Sequence, residues 1–380
     1  MSPRNPTESK ASTPATATHA QRLPAELLYA DELAHLAAHD TAPKPPGWRL
    51  SMPAVRDFIL GGKVAGRELR RKIVCSPSLI ERCLVTLAST RALLLVGEPG
   101  TAKSLLSELL AAAVSGGSTL TIQGSAATTE DQIKYGWNYA LLLNDGPSER
   151  ALVPSPLMRA MQAGQIARFE EITRCPPEVQ DSLLSILSER LLMVPELPQA
   201  LAGGTVFAQD GFNLIATANT RDRGVNEMSA ALKRRFAFET VLPIADYAQE
   251  LALVQSEVAR LLAQDRVPVQ PSAPLLEVLV TTFRDLRQGV DREGGATDKL
   301  SSVLSTAEAV SVAHAVALRG WYLRGDAGQP ADLVEALAGT AAKDNADDLK
   351  KLRRYIEHKA ARRNGEAWQA FHAARHALPQ

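Results

Sequence analysis

The chain has 380 residues, enough for two or three domains at about 150 residues each. Lys plus Arg equals Asp plus Glu at 42 each, so no whole-molecule field draws it to nucleic acid or to an anionic membrane. No run reaches about 18 apolar residues and the N-terminus carries no apolar signal core, so neither membrane spanning nor export is expected, and a cytoplasmic location is. Met1 to about Leu23, rich in Thr, Ala, Pro and Ser, reads as a flexible tail because it offers little apolar surface to offset ordering entropy. Pro24 to Ala38 reads as one short amphipathic helix, and Thr41 to Gly47 as a linker, with the compact part starting near Trp48. Leu79, Ile80, Cys83 and Leu84 recur at helical spacing before the apolar run Ala92 to Val96, which predicts a strand. Further strands are predicted at Thr119 to Ile122, Ile166 to Phe169 and Phe212 to Thr217, with helical stretches between them. After Pro243 strand signals nearly vanish, and helices are predicted over Asp246 to Leu262, Ala273 to Leu286, Leu300 to Trp321, Pro330 to Leu337 and Ala346 to Ala377, broken near Asp291 to Gly295. The expected fold class is therefore α/β, a parallel sheet flanked by helices, followed by an all-α region. The expected division is 1–46 as tail and linker, 47–242 as the α/β domain and 243–380 as helical. Cys75, Cys83 and Cys175 lack metal-ligand spacing, and their odd count fits no disulfide framework, so they read as reduced, small buried hydrophobes.

The octapeptide Gly97-Glu98-Pro99-Gly100-Thr101-Ala102-Lys103-Ser104 stands between a predicted strand and a predicted helix. A glycine-rich loop in that position presents backbone N–H groups and a helix N-terminus to phosphate oxygens, while the lysine adds charge and the hydroxyl reaches Mg²⁺. The strict pattern has glycine where Ala102 stands, and alanine is tolerable there if φ is negative. Glu170 and Glu171 follow the strand ending at Phe169, at the carboxyl end where ligands sit in open α/β sheets; one carboxylate suits the metal and the other an attacking water. Adjacent glutamates also open the polar faces of helices. Asn219 ends another predicted strand and is placed to bond a γ-phosphate or the water, although asparagine is equally a common turn residue. Arg234 and Arg235 end a helical stretch before a last strand; arginine grips phosphate in a planar, bidentate way, and helix C-termini also favour cations. Arg168 is a charged residue in an apolar strand and calls for a carboxylate partner.

In this order the segments resemble an AAA+ ATPase: residues 97–104 resemble its Walker A loop, Arg168 to Glu171 its Walker B, Asn219 its sensor 1, and Arg234-Arg235 its arginine-finger region. The chain resembles the MoxR branch more narrowly, where alanine commonly precedes the lysine and Walker B runs into an Ile-x-Arg segment, here Ile172-Thr173-Arg174. Residues around Tyr135 to Tyr139 and Asn144 to Pro147 resemble that branch's hairpin inserted in helix 2, and Glu189 to Phe212, with Pro195, Pro198 and Gly203-Gly204, its hairpin before sensor 1. The resemblance implies ATP and Mg²⁺ as cofactors, with Lys103 on the β- and γ-phosphates, Ser104 and Glu170 on the metal, and Glu171 polarising the water. Glu170 departs from the aspartate of most members, and its extra methylene alters the fit to a geometrically demanding Mg²⁺ shell. The resemblance also implies a ring, usually a hexamer, in which Arg234 or Arg235 serves the neighbour's nucleotide. It further implies a protein client and a partner with a von Willebrand factor A domain. No arginine occurs in Leu304 to Ala309, where a lid arginine (sensor 2) is expected, leaving Lys299 as a substitute or a lid coupled differently.

Three functions follow from these residues. One, implied by the MoxR resemblance, is an ATP-driven remodelling or maturation factor for protein clients. Another is a nucleotide-dependent binding scaffold with little hydrolysis. The third is a nucleic-acid motor, against which the neutral charge balance argues, although Lys350-Lys351-Leu352-Arg353-Arg354 is locally basic.

Overall fold

The structure, a computed structural model, describes residues 20–197, 204–219, 226–302, 304–343 and 345–379. Most of the expected tail, with Pro198, Gly203 and Thr220, lies outside them. Five parallel strands form the central sheet: β1 (Ala92–Gly97), β2 (Thr121–Gln123), β3 (Ile166–Glu170), β4 (Asn213–Asn219) and β5 (Phe236–Thr240), in the spatial order β5-β1-β4-β3-β2. Side chains of a strand alternate between faces, and the two cores follow that period. Leu93, Leu95, Ile166 and Ile215 enter one apolar cluster, while Ala92, Leu94, Ala167, Phe169, Leu214 and Ala216 enter another on the opposite face.

The first cluster is covered by helices α1 (Ala25–Leu28), α2 (Ala30–His39), α3 (Met52–Leu60), α4 (Pro77–Leu87) and α5 (Lys103–Ser115). The stretch expected as a single helix is thus two, broken at Tyr29, whose φ of −114° and ψ of 26° interrupt the helical run. Tail and linker are also corrected from Ala25 onward: Ala25 and Leu36 are each 2% exposed in this core. Asp40 fastens the turn to α3 by accepting the Ser51 N–H at 2.7 Å and its hydroxyl at 2.6 Å. Cys83 lies in the same core, where burial pushes its thiol up to about 12.

Among the described residues, three antiparallel hairpins accompany the sheet in the α/β unit, one of them joining Gly62–Val64 to Arg67–Leu69. Tyr135–Trp137 pairs antiparallel with Leu152–Pro154, and Leu191–Met193 with Thr205–Phe207. The remaining chain is helical: α6 (Tyr247–Gln264), α7 (Ala273–Gln288), α8 (Thr306–Arg324), α9 (Pro330–Leu337), α10 (Ala346–Arg354) and α11 (Glu366–Ala373), around a core of its own. Helix α8 begins later than the periodicity from Leu300 predicts because Ser305 and Glu308 form a capping box. The predicted helix Ala346 to Ala377 is divided by π and 3₁₀ turns over Tyr355–Lys359 and Ala360–Arg362, and Gly365, at φ +115°, starts α11 in a conformation closed to other residues.

Candidate nucleotide site

Gly97 ends β1, and the loop after it delivers the chain into α5. The residue before α5, Ala102, makes no side-chain cap, and the N–H groups of a helix's first turn are the donors that suit an anion. Gly100 has φ +73°, and a Cβ there would run into Ser305. Ala102, the residue before the helix, has φ +67° and ψ +25°. This overturns the expectation of a negative φ: the site demands the left-handed conformation that glycine adopts freely, and alanine takes it at a cost of about 1–2 kcal/mol. Lys103 Nζ donates to the carbonyls of Gly97 at 3.1 Å and Glu98 at 2.7 Å, and the Thr101 hydroxyl donates to Glu98 O at 3.0 Å. The loop is therefore drawn around its own lysine.

The alternation of β3 and β4 turns Arg168, Glu170 and Thr217 toward α5, on the same face as Ile166 and Ile215. There Glu170, 6% exposed, accepts the hydroxyls of Ser104 at 2.7 Å, Ser107 at 2.6 Å and Thr217 at 2.8 Å, with the Arg168 guanidinium at 2.7 Å. Arg168 thus finds its expected carboxylate within its own strand. Burial alone would raise the Glu170 carboxyl, but the hydroxyls of Ser107 and Ser104, the Arg168 charge and the Thr217 hydroxyl together hold it below the usual range. Ser104 and Glu170, the two residues expected to serve a metal, are directly bonded, and their oxygen donors suit a hard cation such as Mg²⁺. The extra methylene of Glu170 therefore does not keep it from the loop serine.

Glu171 follows in the left-handed region at φ +55°, and three contacts hold it there. Its N–H donates to Thr217 Oγ1 at 3.0 Å, its carbonyl accepts the Arg174 N–H at 2.9 Å, and Gly124 packs so closely that a Cβ would strike the Glu171 carbonyl. Its side chain pairs with Arg174, beside a pocket of about 400 Å³ lined by residues 123–126. Asn219 lies level with Gly97 in the parallel register of β4 and β1. The structure thus gathers Gly97 to Ser104, Glu170, Glu171 and Asn219 at one end of the sheet. Arg234 and Arg235 are not gathered with them. The carbonyl of Arg235 accepts the Ala92 N–H at 3.0 Å, at the opposite end of a six-residue strand and so roughly 16–20 Å from the loop. Both arginines are exposed.

A cavity of about 860 Å³ opens between the loop, the segment before α4 and the helical unit. Ile73 and Val74, from the segment before α4, line it, Ile73 being also part of the core. Sequence reasoning missed Ser107 and Thr217, one helical turn after Ser104 and two residues before Asn219, polar positions in apolar runs. It also missed Arg287. That guanidinium lines the cavity and donates to Leu304 O at 3.1 Å and to Glu250 at 3.0 Å, next to the Ser305 that covers Gly100. Lys299, the suggested substitute cation, is exposed beside Gly289 instead.

Residues 92–236 match the family model of the AAA domain of the dynein-related subfamily, and residues 248–379 that of the YehL-like AAA+ ATPase C-terminal domain. The uncharacterized protein YehL of Escherichia coli (strain K12) is 61% identical over 361 residues, which are 95% of this chain and 98% of that protein. Chaperone MoxR1 of Mycobacterium tuberculosis (strain ATCC 25618 / H37Rv) is 32% identical over 177 residues, 45% of this chain and 41% of that protein. A crystal structure of NtrX from Brucella abortus aligns at a TM-score of 0.46 and 14% identity, over 72% of this chain and 55% of that one. The chain belongs to the YehL-like AAA+ ATPases.

Proposed function

We propose that the chain binds ATP at residues 97–104 and hydrolyses it with Glu171 as the group that polarises water, using the cycle to remodel or mature a protein client. The observation that carries this reading is the bonded chain Ser104–Glu170–Thr217–Glu171, which couples the phosphate loop to the carboxylate at the strand end. Lys103 and the N–H groups opening α5 hold the phosphates, and Asn219 stands level with Gly97 to orient the γ-phosphate or the water. Ser104 and Glu170 would hold Mg²⁺, which when bound neutralises charge on the transferring phosphoryl group. Arg234 and Arg235, exposed and remote from their own loop, are suited to act on a neighbouring subunit, as the ring implied by the MoxR resemblance requires. That resemblance also supports a hexamer, a von Willebrand factor A-domain partner and a cytoplasmic setting. The basic run of α10 does not favour the nucleic-acid motor: Lys350, Lys351 and Arg354 pair with Asp347, Asp348 and Asp298.

One observation favours the scaffold as a second reading, namely that Arg174 already engages the Glu171 carboxylate. Phosphate release separates the two. Glu171→Gln is expected to keep ATP binding while hydrolysis falls on the order of 10²-fold or more, as loss of a general base does. An unaltered protein no faster than this variant leaves the scaffold standing.

A further inference from the structure

Residues 20–23 cross the cavity that the proposed function assigns to nucleotide. Ala20, Gln21, Arg22 and Leu23 all line it, and each of the two units holds them by a separate contact. Arg22 reaches Glu108 on α5 at 2.5 Å, one turn beyond the residues that begin that helix, Lys103 and Ser104. The Gln21 carbonyl accepts from the Gln264 side chain at the end of α6 at 3.1 Å.

Attachment changes abruptly at Pro24. Beyond it the chain is fixed: the Ala25 N–H donates to Glu108 at 3.1 Å, and Ala25 is part of the core. Before it, among the described residues, the segment is held by the Gln21–Gln264 bond and by Arg22, whose own side chain is 78% exposed although Glu108 is buried. A stretch that adds no residue to the core and is tied by one exposed and one part-buried contact lies toward the low end of local stability. It also forms part of the wall of this cavity.

We propose that residues 20–23 are a strap that swings about Pro24 to admit and release nucleotide. Its closed position depends on α5 and α6 lying at their present separation, because the two anchors sit on different units. Rotation of the helical unit away from the sheet breaks the Gln21–Gln264 contact and opens the strap. This proposal rests on the nucleotide reading of the cavity.

Stopped-flow association and release of a fluorescent ADP analogue test it in the unaltered protein, Arg22→Ala, Gln264→Ala and a chain lacking residues 1–23. Both association and release are expected to quicken, about 2- to 5-fold in the point variants, as suits loss of one exposed contact, and by more than 10-fold in the shortened chain. Kd should change less than either rate, and Arg22→Lys should recover part of the effect. A merely structural role would instead weaken Kd without quickening association. Rates within twofold of the unaltered protein in all variants would overturn the strap alone. An unaltered protein that binds no nucleotide would overturn both the strap and the reading beneath it.

Discussion

Glu170 in the α/β unit and Glu250 in the helical unit are both buried carboxylates, 6% and 1% exposed, and each is held below the usual range by partners that outweigh its burial. Their partners differ in kind. Glu170 accepts three hydroxyls and one guanidinium, so its group with Arg168 is neutral. Glu250 accepts one hydroxyl, from Thr306 at 2.7 Å, and two guanidiniums, Arg284 at 2.7 Å and Arg287 at 3.0 Å, leaving that group with an excess positive charge beside the cavity. Three of Glu170's partners stabilise the anion without cancelling its charge and one guanidinium balances it, whereas the paired guanidiniums at Glu250 more than balance theirs.

The contrast breaks most sharply at Glu250. Glu250→Ala leaves two buried guanidiniums uncompensated and is expected to lower unfolding free energy by about 3–5 kcal/mol, read by urea denaturation. Glu170→Gln keeps an oxygen acceptor for the hydroxyls and is expected to cost less, about 1–3 kcal/mol. It should also weaken ATP binding about tenfold with Mg²⁺ and hardly at all in chelator, as a carboxylate lost from the metal shell would. Equal stability losses, or an ATP effect indifferent to Mg²⁺, would dissolve the distinction.

Acid sharpens the comparison further. Because both carboxyls are depressed on folding, the stability they confer is complete above their ordinary value of 4.5 and is lost as pH falls through the folded values below it. Stability measured from pH 6 downward should therefore fall more shallowly below 4.5 in Glu250→Gln than in the unaltered protein. The smallest effect belongs to Ala102→Gly. Relief of the left-handed strain exceeds glycine's greater entropy loss only slightly, so a gain of about 0–1 kcal/mol in thermal unfolding is expected. A net loss would show that the alanine methyl makes contacts worth more than its strain.

Much of the nucleotide end was legible in sequence because its parts are local: a strand, a loop and a helix within Ala92 to Val114, then polar residues ending apolar strands. What escaped depends on the third dimension. The φ of Ala102 is set by how the loop turns into α5, which composition does not encode. Pro24 to Ala38 reads as a short amphipathic helix with no stated partner, yet Ala25 and Leu36 fill space on a core built by distant helices. Arg287 sits on α7, well before the capped start of α8 where a cation was sought, and only the packing of α7 against the Leu304–Thr306 stretch brings it to the cavity.

The close approach of Gly100 to Ser305 has a mechanical consequence. Helix α8 starts at that contact and runs for 19 residues, which at about 1.5 Å each makes a rod of about 28 Å. Pivoting by about 5° at its loop end carries the far end through about 2.5 Å. Tyr322 and Leu323 stand there with their side chains in solvent. A displacement of the loop that pushes on Ser305 and tilts α8 would therefore be displayed at its far end, on an apolar surface about 28 Å from Gly100.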